Sequence, residues 1–456
     1  MKKLGTIILC IFLLWLIPTL ITAILVPSFH KDFPKPKEPP EKHRDREYVK
    51  IIDDNGEAML RRLQIIESAE KELVLTTYYL ADDDAGRDVM AALLAASQRG
   101  VHIRILVDGV CAFTSGIGKS DSFQALLHQD NVEAKIYNPV HLLYPFNENY
   151  RMHDKYLAAD ETVYILGGRN TRSKSIGAYP GKQDADRDAL VFCEGPDSSI
   201  SQLLTYFEAV WQSKDCSPVQ RKNQDSDAVS ALNQRYQKLQ KETPQAFQKT
   251  DFSFFMTPVN SVNLYVNPVA AENKAPQLWT DLLNLMGQGR DIEIQTPYII
   301  LSHTMHQQFS ALTKGRDIKI ITNAPETGAN PMGCAELLNR KEHLLKTGFQ
   351  LYEYAADRSA HVKTVVIDDH LSLVGSFNFD MRSAYLDTET MLLIDSPEIN
   401  RELRETNAKY MRSSRCSRQG LLNVPGEHFH TPAMGKVQKA MYAVLRALIV
   451  PVRHLL

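Results

Sequence analysis

Two histidine–lysine pairs carry the residue types in this sequence that are best suited to chemistry. In the first copy, His153 and Lys155 are followed by Asp160 and then by Gly167-Gly168-Arg169-Asn170. The second copy repeats these types at the same spacing, with His361, Lys363, Asp368 and Gly375-Ser376-Phe377-Asn378. A single His-x-Lys carries little meaning, but two identical patterns about two hundred residues apart are hard to obtain by chance. We therefore interpret them as two parts of one functional unit.

Each copy of the motif predicts a β-hairpin. The histidine and lysine are two residues apart, so on a strand their side chains leave the same face. Asp160 and Asp368 fall at turn-like breaks, after which Val163-Tyr164-Ile165-Leu166 and Leu371-Ser372-Leu373-Val374 supply the return strands. We expect the two aspartates to hold the hairpins together without touching a substrate.

Brought together, the two histidines, two lysines and two asparagines would form a cationic pocket that suits a phosphate group. Neither copy contains a nucleophile elbow, a Walker-type loop or a metal cluster, so the chemistry falls to the histidines. One imidazole would form a phosphohistidine, while the other protonates the leaving oxygen and later activates the incoming hydroxyl. The lysines and asparagines would hold the non-bridging oxygens. The predicted site residues are His153, Lys155, Asp160, Asn170, His361, Lys363, Asp368 and Asn378.

Two acidic residues are candidates for orienting the histidines. A nucleophilic imidazole works best when an acceptor holds its second ring nitrogen. Glu389 follows the second asparagine after a short gap, and Asp188 follows the first after a longer one. We predict both as orienting groups, with a surface carboxylate as the alternative for each.

The composition of the 456-residue chain is that of an ordinary folded protein, long enough for two domains. The net charge is −2, so no global basic footprint indicates a nucleic-acid partner, and any phosphate affinity must be local. The cysteines outside the apolar N-terminal run show no C-x-x-C spacing, which argues against zinc. These cysteines are Cys111, Cys193, Cys216, Cys334 and Cys416.

The order of predicted strands and helices occurs twice, which indicates duplicated α/β lobes. The strand that ends with Tyr78-Tyr79 is echoed by the strand from Ile292 to Tyr298, and each is followed by a helix and a further strand. We predict a first lobe at residues 47–216 and a second at 251–415. A glutamine-rich polar linker at 217–250 joins them.

Both ends of the chain predict contact with a membrane. Leu4 to Val26 is almost wholly apolar and, at 23 residues, long enough to cross a bilayer. We predict a transmembrane anchor at 1–27, with a cleaved signal peptide as the alternative, and a proline-rich charged stem at 28–46. The tail at 416–456 contains a basic amphipathic helix that lies either on a lipid surface or docked on the protein.

The duplicated motif resembles the signature of the phospholipase D superfamily, H-x-K-x4-D-x6-G-[GS]-x-N, and both copies match it without departure. The stretches Met152-His153-Asp154-Lys155 and 379–389 are similar to bacterial cardiolipin synthases, particularly those of the C type. The resemblance covers roughly residues 47 to 415. It implies a phospholipase D fold, in which two α/β/α lobes are related by a pseudo-twofold axis.

The same resemblance implies a phosphatidyl transfer. Such enzymes hold a phosphatidyl group on histidine and pass it to a glycerol hydroxyl of phosphatidylglycerol, with no metal or organic cofactor. The superfamily's usual assignment makes His153 the nucleophile and His361 the acid and base. We therefore expect a phospholipid substrate and a cell-membrane location. We do not expect a stable nucleic-acid partner.

Two other functions are consistent with the sequence. One is hydrolysis by the same chemistry, either as a lipid phosphodiesterase or as a nuclease that acts on single strands. The near-neutral net charge counts weakly against the nuclease. The other is a catalytically inactive scaffold, which two intact motifs disfavour.

Overall fold

The structure, a computed structural model, contains two similar units of mixed α/β architecture. It describes residues 33–38, 42–141, 147–222, 226–271, 274–431 and 433–455, together with positions 17 and 21. Within these residues each unit is built on one nine-stranded sheet, and a small two-stranded sheet lies in the second unit.

The first sheet combines parallel and antiparallel strands. Its members are β1 (Glu47–Ile52), β2 (Glu72–Thr77), β3 (His102–Asp108), β4 (Val132–Tyr137), β5 (Tyr156–Ala159), β6 (Val163–Gly167), β7 (Asp188–Cys193), β8 (Cys216–Pro218) and β9 (Thr257–Val259). Their spatial order is β8-β4-β3-β2-β5-β6-β7-β1-β9. Strands β2, β3 and β4 pair in parallel, whereas β5, β6 and β7 form an antiparallel meander.

The second unit repeats this arrangement. Its strands are β10 (Ser261–Val266), β11 (Asp291–Gln295), β12 (Ile299–Ile300), β13 (Asp317–Asn323), β14 (Gln350–Tyr354), β15 (Thr364–Ile367), β16 (Leu371–Gly375), β17 (Phe379–Asp380), β18 (Thr390–Asp395), β19 (Ser414–Arg418) and β20 (Leu421–Pro425). The large sheet runs β10-β18-β16-β15-β11-β13-β14-β19-β20, while β12 pairs with β17. The run β14-β13-β11-β15-β16-β18 matches β4-β3-β2-β5-β6-β7, so the predicted duplication is present in the sheet topology.

Helices connect the parallel strands, as such strands require. The helices of the described residues, these connections included, are α1 (Asn55–Ser68), α2 (Asp84–Gln98), α3 (Gly109–Ser115), α4 (Asp121–Leu127), α5 (Ser199–Trp211), α6 (Ser226–Glu242), α7 (Gln277–Gln288), α8 (His303–Leu312), α9 (Pro331–Leu345), α10 (Met381–Tyr385), α11 (Pro397–Arg412) and α12 (Lys436–Val452). Side-chain caps fix several starts; for α2, Asp83 accepts a hydrogen bond from the Gly86 amide.

The two sheets meet in an apolar core that both units share. Leu166 and Ala189 of the first sheet belong to the same buried cluster as Val374 and Leu392 of the second. Strand β6 contacts β16 and β18 directly. Because this contact lies beside the ends of both predicted hairpins, it fixes the position of one hairpin relative to the other.

Two short backbone bridges between the units show the same approximate twofold relation. Met152 bridges to Thr388, and Ala360 bridges to Ala185. Met152 and Ala360 each precede a motif histidine, so the same position of each unit reaches across to the other. The contacts repeat with the units exchanged, as expected for pseudo-twofold symmetry.

The strands and helices extend beyond the predicted lobe boundaries. Strand β9 at Thr257–Val259 pairs with β1, so the first sheet continues past the predicted linker. Helix α6 lies within that linker and packs on the first unit through Leu232 and Leu239. Strands β19 and β20 continue the second sheet to Pro425. Polar composition indicated a linker, but the buried side of α6 makes this segment part of the first unit.

The predicted anchor at 1–27 lies outside the described residues, apart from positions 17 and 21. Among the residues that the structure describes, no helix is both long enough and apolar enough to span a membrane. Part of the stem is described and lies on the second unit. The Lys37 amide donates to Asp281, and the ring of Phe33 lies edge-on to Tyr385 at 6.3 Å between centroids.

Candidate active site

The two motif hairpins are β5–β6 and β15–β16, and an aspartate holds each turn. Asp160 and Asp368 adopt left-handed backbone conformations, with φ of 51° and 47°. Asp160 accepts hydrogen bonds from the Glu72 amide at 2.8 Å and from the two amides before it. Asp368 accepts from the amides of Arg290 and Asp291. Neither aspartate lines the cavity described next, so both position the hairpins and neither reaches a substrate there.

One cavity of about 240 Å³ collects polar groups from both motifs. Its wall includes His153 and Asn170 from the first unit, and His361 and Asn378 from the second. The two imidazoles are therefore presented to the same small volume at the junction of the units. One cavity, assembled from both copies of the motif, can hold a phosphate between two histidines.

The motif lysines lie directly behind the imidazoles and do not line this cavity. Lys155 and Lys363 are each 1% exposed, and each donates to the carbonyl oxygen of the histidine two residues before it. Lys363 Nζ also lies 2.9 Å from His361 Nδ1. Burial lowers the pKa of Lys155 to about 8 and that of Lys363 to about 7.

His153 is held by an acidic residue of the opposite unit. Its Nδ1 lies 2.9 Å from Glu389 Oε1, and the Glu389 carboxyl group also accepts from the hydroxyl groups of Ser376 and Ser383. Burial, reinforced by the positive charges of Lys155 and Lys363, lowers the pKa of His153 well below its usual value. A neutral imidazole that donates through Nδ1 keeps the lone pair of Nε2 for a reaction.

His361 is held in the same crosswise manner by Asp186 of the first unit. The distance from His361 Nδ1 to Asp186 Oδ2 is 2.7 Å. Burial alone would raise the pKa of Asp186, but the nearby His361 and Lys363 lower it to about 2. Burial also lowers the pKa of His361. We interpret the pair as an ionised carboxylate that accepts from the Nδ1–H of the imidazole, which also stabilises the ring when it carries a second proton.

The predicted orienting role of Asp188 is wrong, whereas Glu389 lies where it was predicted. Asp188 forms buried ion pairs with Arg62 at 2.9 Å and Arg169 at 3.3 Å. Its neighbour two positions earlier, Asp186, contacts the histidine instead. The segments after the two motif asparagines differ in length, so spacing alone could not decide between these carboxylates. Matching the sheet registers across the two units would have selected Asp186.

We expect Asp186→Asn and Asp188→Asn to have different effects. Asp186→Asn keeps the shape but loses the charge that orients His361, so turnover should fall by at least about 10²-fold. Asp188→Asn breaks two buried ion pairs and should destabilise the fold by about 3 kcal/mol. Steady-state kinetics and thermal unfolding of both variants test this. A loss of activity confined to Asp188→Asn, at unchanged stability, would contradict the assignment.

Sequence reasoning did not single out the individual residues that form the rest of the cavity wall. The further lining residues are Tyr78, Arg172, Tyr298, Asn330, Asp380, Arg382 and Asp387. Tyr78 lies edge-on to His153 at 4.9 Å between centroids, and the Tyr298 hydroxyl accepts from Asn378 at 3.3 Å. The two tyrosines follow equivalent strands, β2 and β11, so their repetition in the sequence was the available signal.

The cavity wall carries cationic groups suited to an anion, together with the acidic residues Asp380 and Asp387. Arg172 and Arg382 add two cations, and Arg382 lies 3.1 Å from Asp387. Burial raises the pKa of Asp380 to about 6. Among the described residues, no group of three or more His, Cys, Asp or Glu side chains converges to hold a metal ion.

Comparisons with known proteins agree on one family. The family model for the phospholipase D-like domain of cardiolipin synthase matches residues 63–211 and 282–410. Cardiolipin synthase C of Escherichia coli strain K12 is 28% identical over 389 residues, which cover 76% of this chain and 80% of that protein. Cardiolipin synthase B of Salmonella typhi is 26% identical over 367 residues, with 79% and 80% covered.

The fold also has a counterpart among crystal structures. Phosphatidylserine synthase from Haemophilus influenzae Rd KW20 superposes with a TM-score of 0.63 at 16% identity. The match covers 94% of this chain and 99% of that one. At this identity the likeness shows a common fold.

Proposed function

This chain belongs to the family of the phospholipase D-like domain of cardiolipin synthases, and we propose that it transfers a phosphatidyl group between phospholipids. Membership confirms the resemblance inferred from the two motifs. The observation that carries the proposal is the single cavity in which His153 and His361 meet, each held by a carboxylate of the opposite unit. A neutral His153 as nucleophile and a protonated His361 as acid, both lining one small cavity, suit double displacement at phosphorus.

In the proposed first step, Nε2 of His153 attacks phosphorus and the bond to the leaving alkoxide breaks. His361, protonated at Nε2 while Asp186 holds its Nδ1–H, gives that oxygen the Nε2 proton, so an alcohol leaves and a phosphatidyl-histidine remains. In the second step, His361 takes the proton of an incoming hydroxyl, whose oxygen displaces His153 from phosphorus. Each histidine returns to its starting state, so the cycle needs neither an oxidant nor a cofactor.

The lysines and asparagines supply charge and hydrogen bonds during both steps. The pentavalent transition state places negative charge on the non-bridging oxygens, which donors already in position stabilise. Asn170 and Asn378 line the cavity, while Lys155 and Lys363 add positive charge from behind the imidazoles. Both lysines are shielded from water, and this burial lowers their pKa values.

We propose cardiolipin synthesis as the specific reaction, with phosphatidylglycerol as the acceptor and as the simplest donor. Its support is the family and the similarity to cardiolipin synthases C and B. The apolar run Leu4–Val26 supports a cell-membrane location with an N-terminal anchor. Hydrolysis is the competing outcome, because water can resolve the same intermediate.

Product analysis separates these reactions. The purified full chain, reconstituted with labelled phosphatidylglycerol, should yield labelled cardiolipin and free glycerol. Phosphatidic acid as the main product would instead identify a lipid hydrolase. Cleavage of added single-stranded DNA at a rate comparable to lipid turnover would favour the nuclease. If the protein turned over none of these substrates, the result would favour the inactive scaffold.

The lysines also predict a pH dependence. Because burial lowers the pKa of Lys363 to about 7 and that of Lys155 to about 8, raising the pH through this window removes positive charge from the site. We expect kcat/KM to fall on the alkaline side of an apparent pKa between about 7 and 8. Lys363→Arg keeps its charge and should move this fall to higher pH. A fall at the same pH in the variant would contradict the prediction.

A further inference from the structure

Helix α12 has one side docked on the second unit. Tyr442 and Ile449 are buried, and the Tyr442 hydroxyl donates to the Pro325 carbonyl at 2.7 Å. Arg446 donates to Asn339 of α9, and Arg453, just after the helix, pairs with Glu336 at 2.6 Å. Arg446 and Arg453, two basic residues of the amphipathic tail, therefore bind the protein.

A second side of α12 is apolar and faces solvent. Val437, Met441, Val444 and Leu448 are 85%, 39%, 59% and 58% exposed. Their spacing of four, three and four residues places them on one stripe of the helix. The buried side next to this stripe already secures α12 to the protein, so docking does not account for it. Exposed apolar residues clustered in this way mark an interaction surface.

The helix lies beside elements that contribute residues to the wall of the catalytic cavity. It packs on α9, which is preceded by the cavity residue Asn330. The turn Arg453–Leu455 that follows α12 contacts α10, and α10 contains the cavity residue Arg382. Contact with a surface through α12 would therefore place that surface near the reacting groups.

The first described residue after the predicted anchor also lies beside α10. The ring of Phe33 lies edge-on to Tyr385 of α10. Only six residues separate Phe33 from Val26, the end of the apolar run, and the seven steps between them span at most about 25 Å. An apolar run that enters a bilayer must therefore do so close to α10.

We infer that the stripe Val437, Met441, Val444 and Leu448 rests on the surface of an anionic phospholipid bilayer and orients the catalytic cavity toward it. The inference rests on the proposed function and names the surface through which the protein reaches its substrate. Charge favours this occupant, because no acidic residue follows Glu427 and the tail that contains α12 is therefore positively charged. Lys436 and Lys439 contribute to this charge from other sides of the helix than the stripe. The anchor holds the chain at the membrane, and α12 fixes its orientation there.

A matched pair of substitutions tests the inference. Leu448 and Val450 are equally exposed, at 58% and 57%, but two helical positions place them about 200° apart, on opposite sides of α12. Leu448→Glu should lower turnover of phosphatidylglycerol vesicles at least about fivefold, because it puts a charge into the interface. Val450→Glu should have little effect. Turnover of a dispersed short-chain phosphatidylglycerol should be unchanged in both.

Three activity results would overturn the inference. A larger vesicle defect in Val450→Glu would place the membrane on the opposite side of the helix. Equal loss on vesicles and on the dispersed substrate would show that Leu448 serves the fold. Wild-type turnover of vesicles by Leu448→Glu would show that the stripe does not contact lipid.

A binding measurement keeps this test independent of the reaction. An environment-sensitive fluorophore on Leu448→Cys in the reconstituted full chain should be quenched by brominated lipid, and one on Val450→Cys should not. The unsubstituted chain supplies the background from native cysteines. Quenching without any lipid turnover would support contact of the stripe with lipid and contradict the proposed function. A buried but unquenched fluorophore would indicate a second copy of the chain and overturn the inference.

Discussion

Replacing either histidine of the cavity with alanine is expected to abolish phosphatidyl transfer. General acid–base catalysis alone contributes about 10²–10⁴-fold, and His153→Ala also removes the proposed nucleophile. We expect kcat to fall by at least about 10⁴-fold for His153→Ala and about 10³-fold for His361→Ala. The experiment is steady-state transfer by the reconstituted full chain, with circular dichroism and thermal unfolding to establish that each variant is folded.

His102 provides a matched control. It lies on β3 of the first unit with a side chain 42% exposed, near Glu72 and Glu133, and it does not line the cavity. His102→Ala should therefore keep transfer within about twofold of the wild type, since surface substitutions usually change stability by less than about 0.5 kcal/mol. Full activity in a folded His153→Ala variant would contradict the mechanism.

The second large effect is expected from the motif lysines. Lys155→Ala or Lys363→Ala removes a charge that stabilises the transition state, and the loss of one such donor typically lowers kcat by about 10²–10³-fold. Both ammonium groups are buried behind the imidazoles, so in the alanine variants water does not take over the stabilising role of the lost charge. The measurement is kcat on phosphatidylglycerol for each variant, at a pH below 7, where the remaining lysine is charged.

Lys238 serves as the control for these substitutions. It lies on α6 of the first unit, with a side chain 69% exposed and a weak ion pair to Glu242. Lys238→Ala should leave kcat unchanged. If Lys363→Ala lost no more activity than Lys238→Ala, the buried lysines would be structural and the proposed charge stabilisation would be wrong.

The sequence was sufficient to predict the hairpins because the motif combines local signals. Strand patterning, a turn aspartate and a small-residue pair all lie within eighteen residues of each histidine. The repetition then predicted the two lobes, since the same order of elements can only build the same layers twice. The repeated motif also indicated that both histidines line one cavity, because pseudo-twofold packing brings equivalent positions of the two units together.

The crosswise contacts were harder to predict from the sequence. Asp186 orients His361 because two units pack through a shared core, and that packing is a property of the whole fold. Asp186 and Asp188 are two residues apart and chemically alike, so only the sheet register separates them. Arg382 and Asp387 reach the cavity from the short helix α10 and the turn after it, whose sequence has no periodic pattern.

The tail shows a different limit of sequence reasoning. A helical wheel separates basic from apolar residues, and that pattern fits both a lipid surface and a docked helix. The structure places Tyr442 and Ile449 inside while leaving Val437 and Leu448 exposed. The two alternatives are thus combined on different sides of one helix, which amphipathic patterning alone does not predict.

The most direct test of the central claim is to trap the covalent intermediate. The full chain should be mixed with phosphatidylglycerol labelled in its phosphate, quenched rapidly under conditions that preserve phosphohistidine, and mapped by mass spectrometry. The account predicts label on His153, greater accumulation in His361→Ala if the second step becomes limiting, and none in His153→Ala. Label on His361 would reverse the roles of the two histidines. Transfer without label on either histidine would contradict a phosphohistidine mechanism.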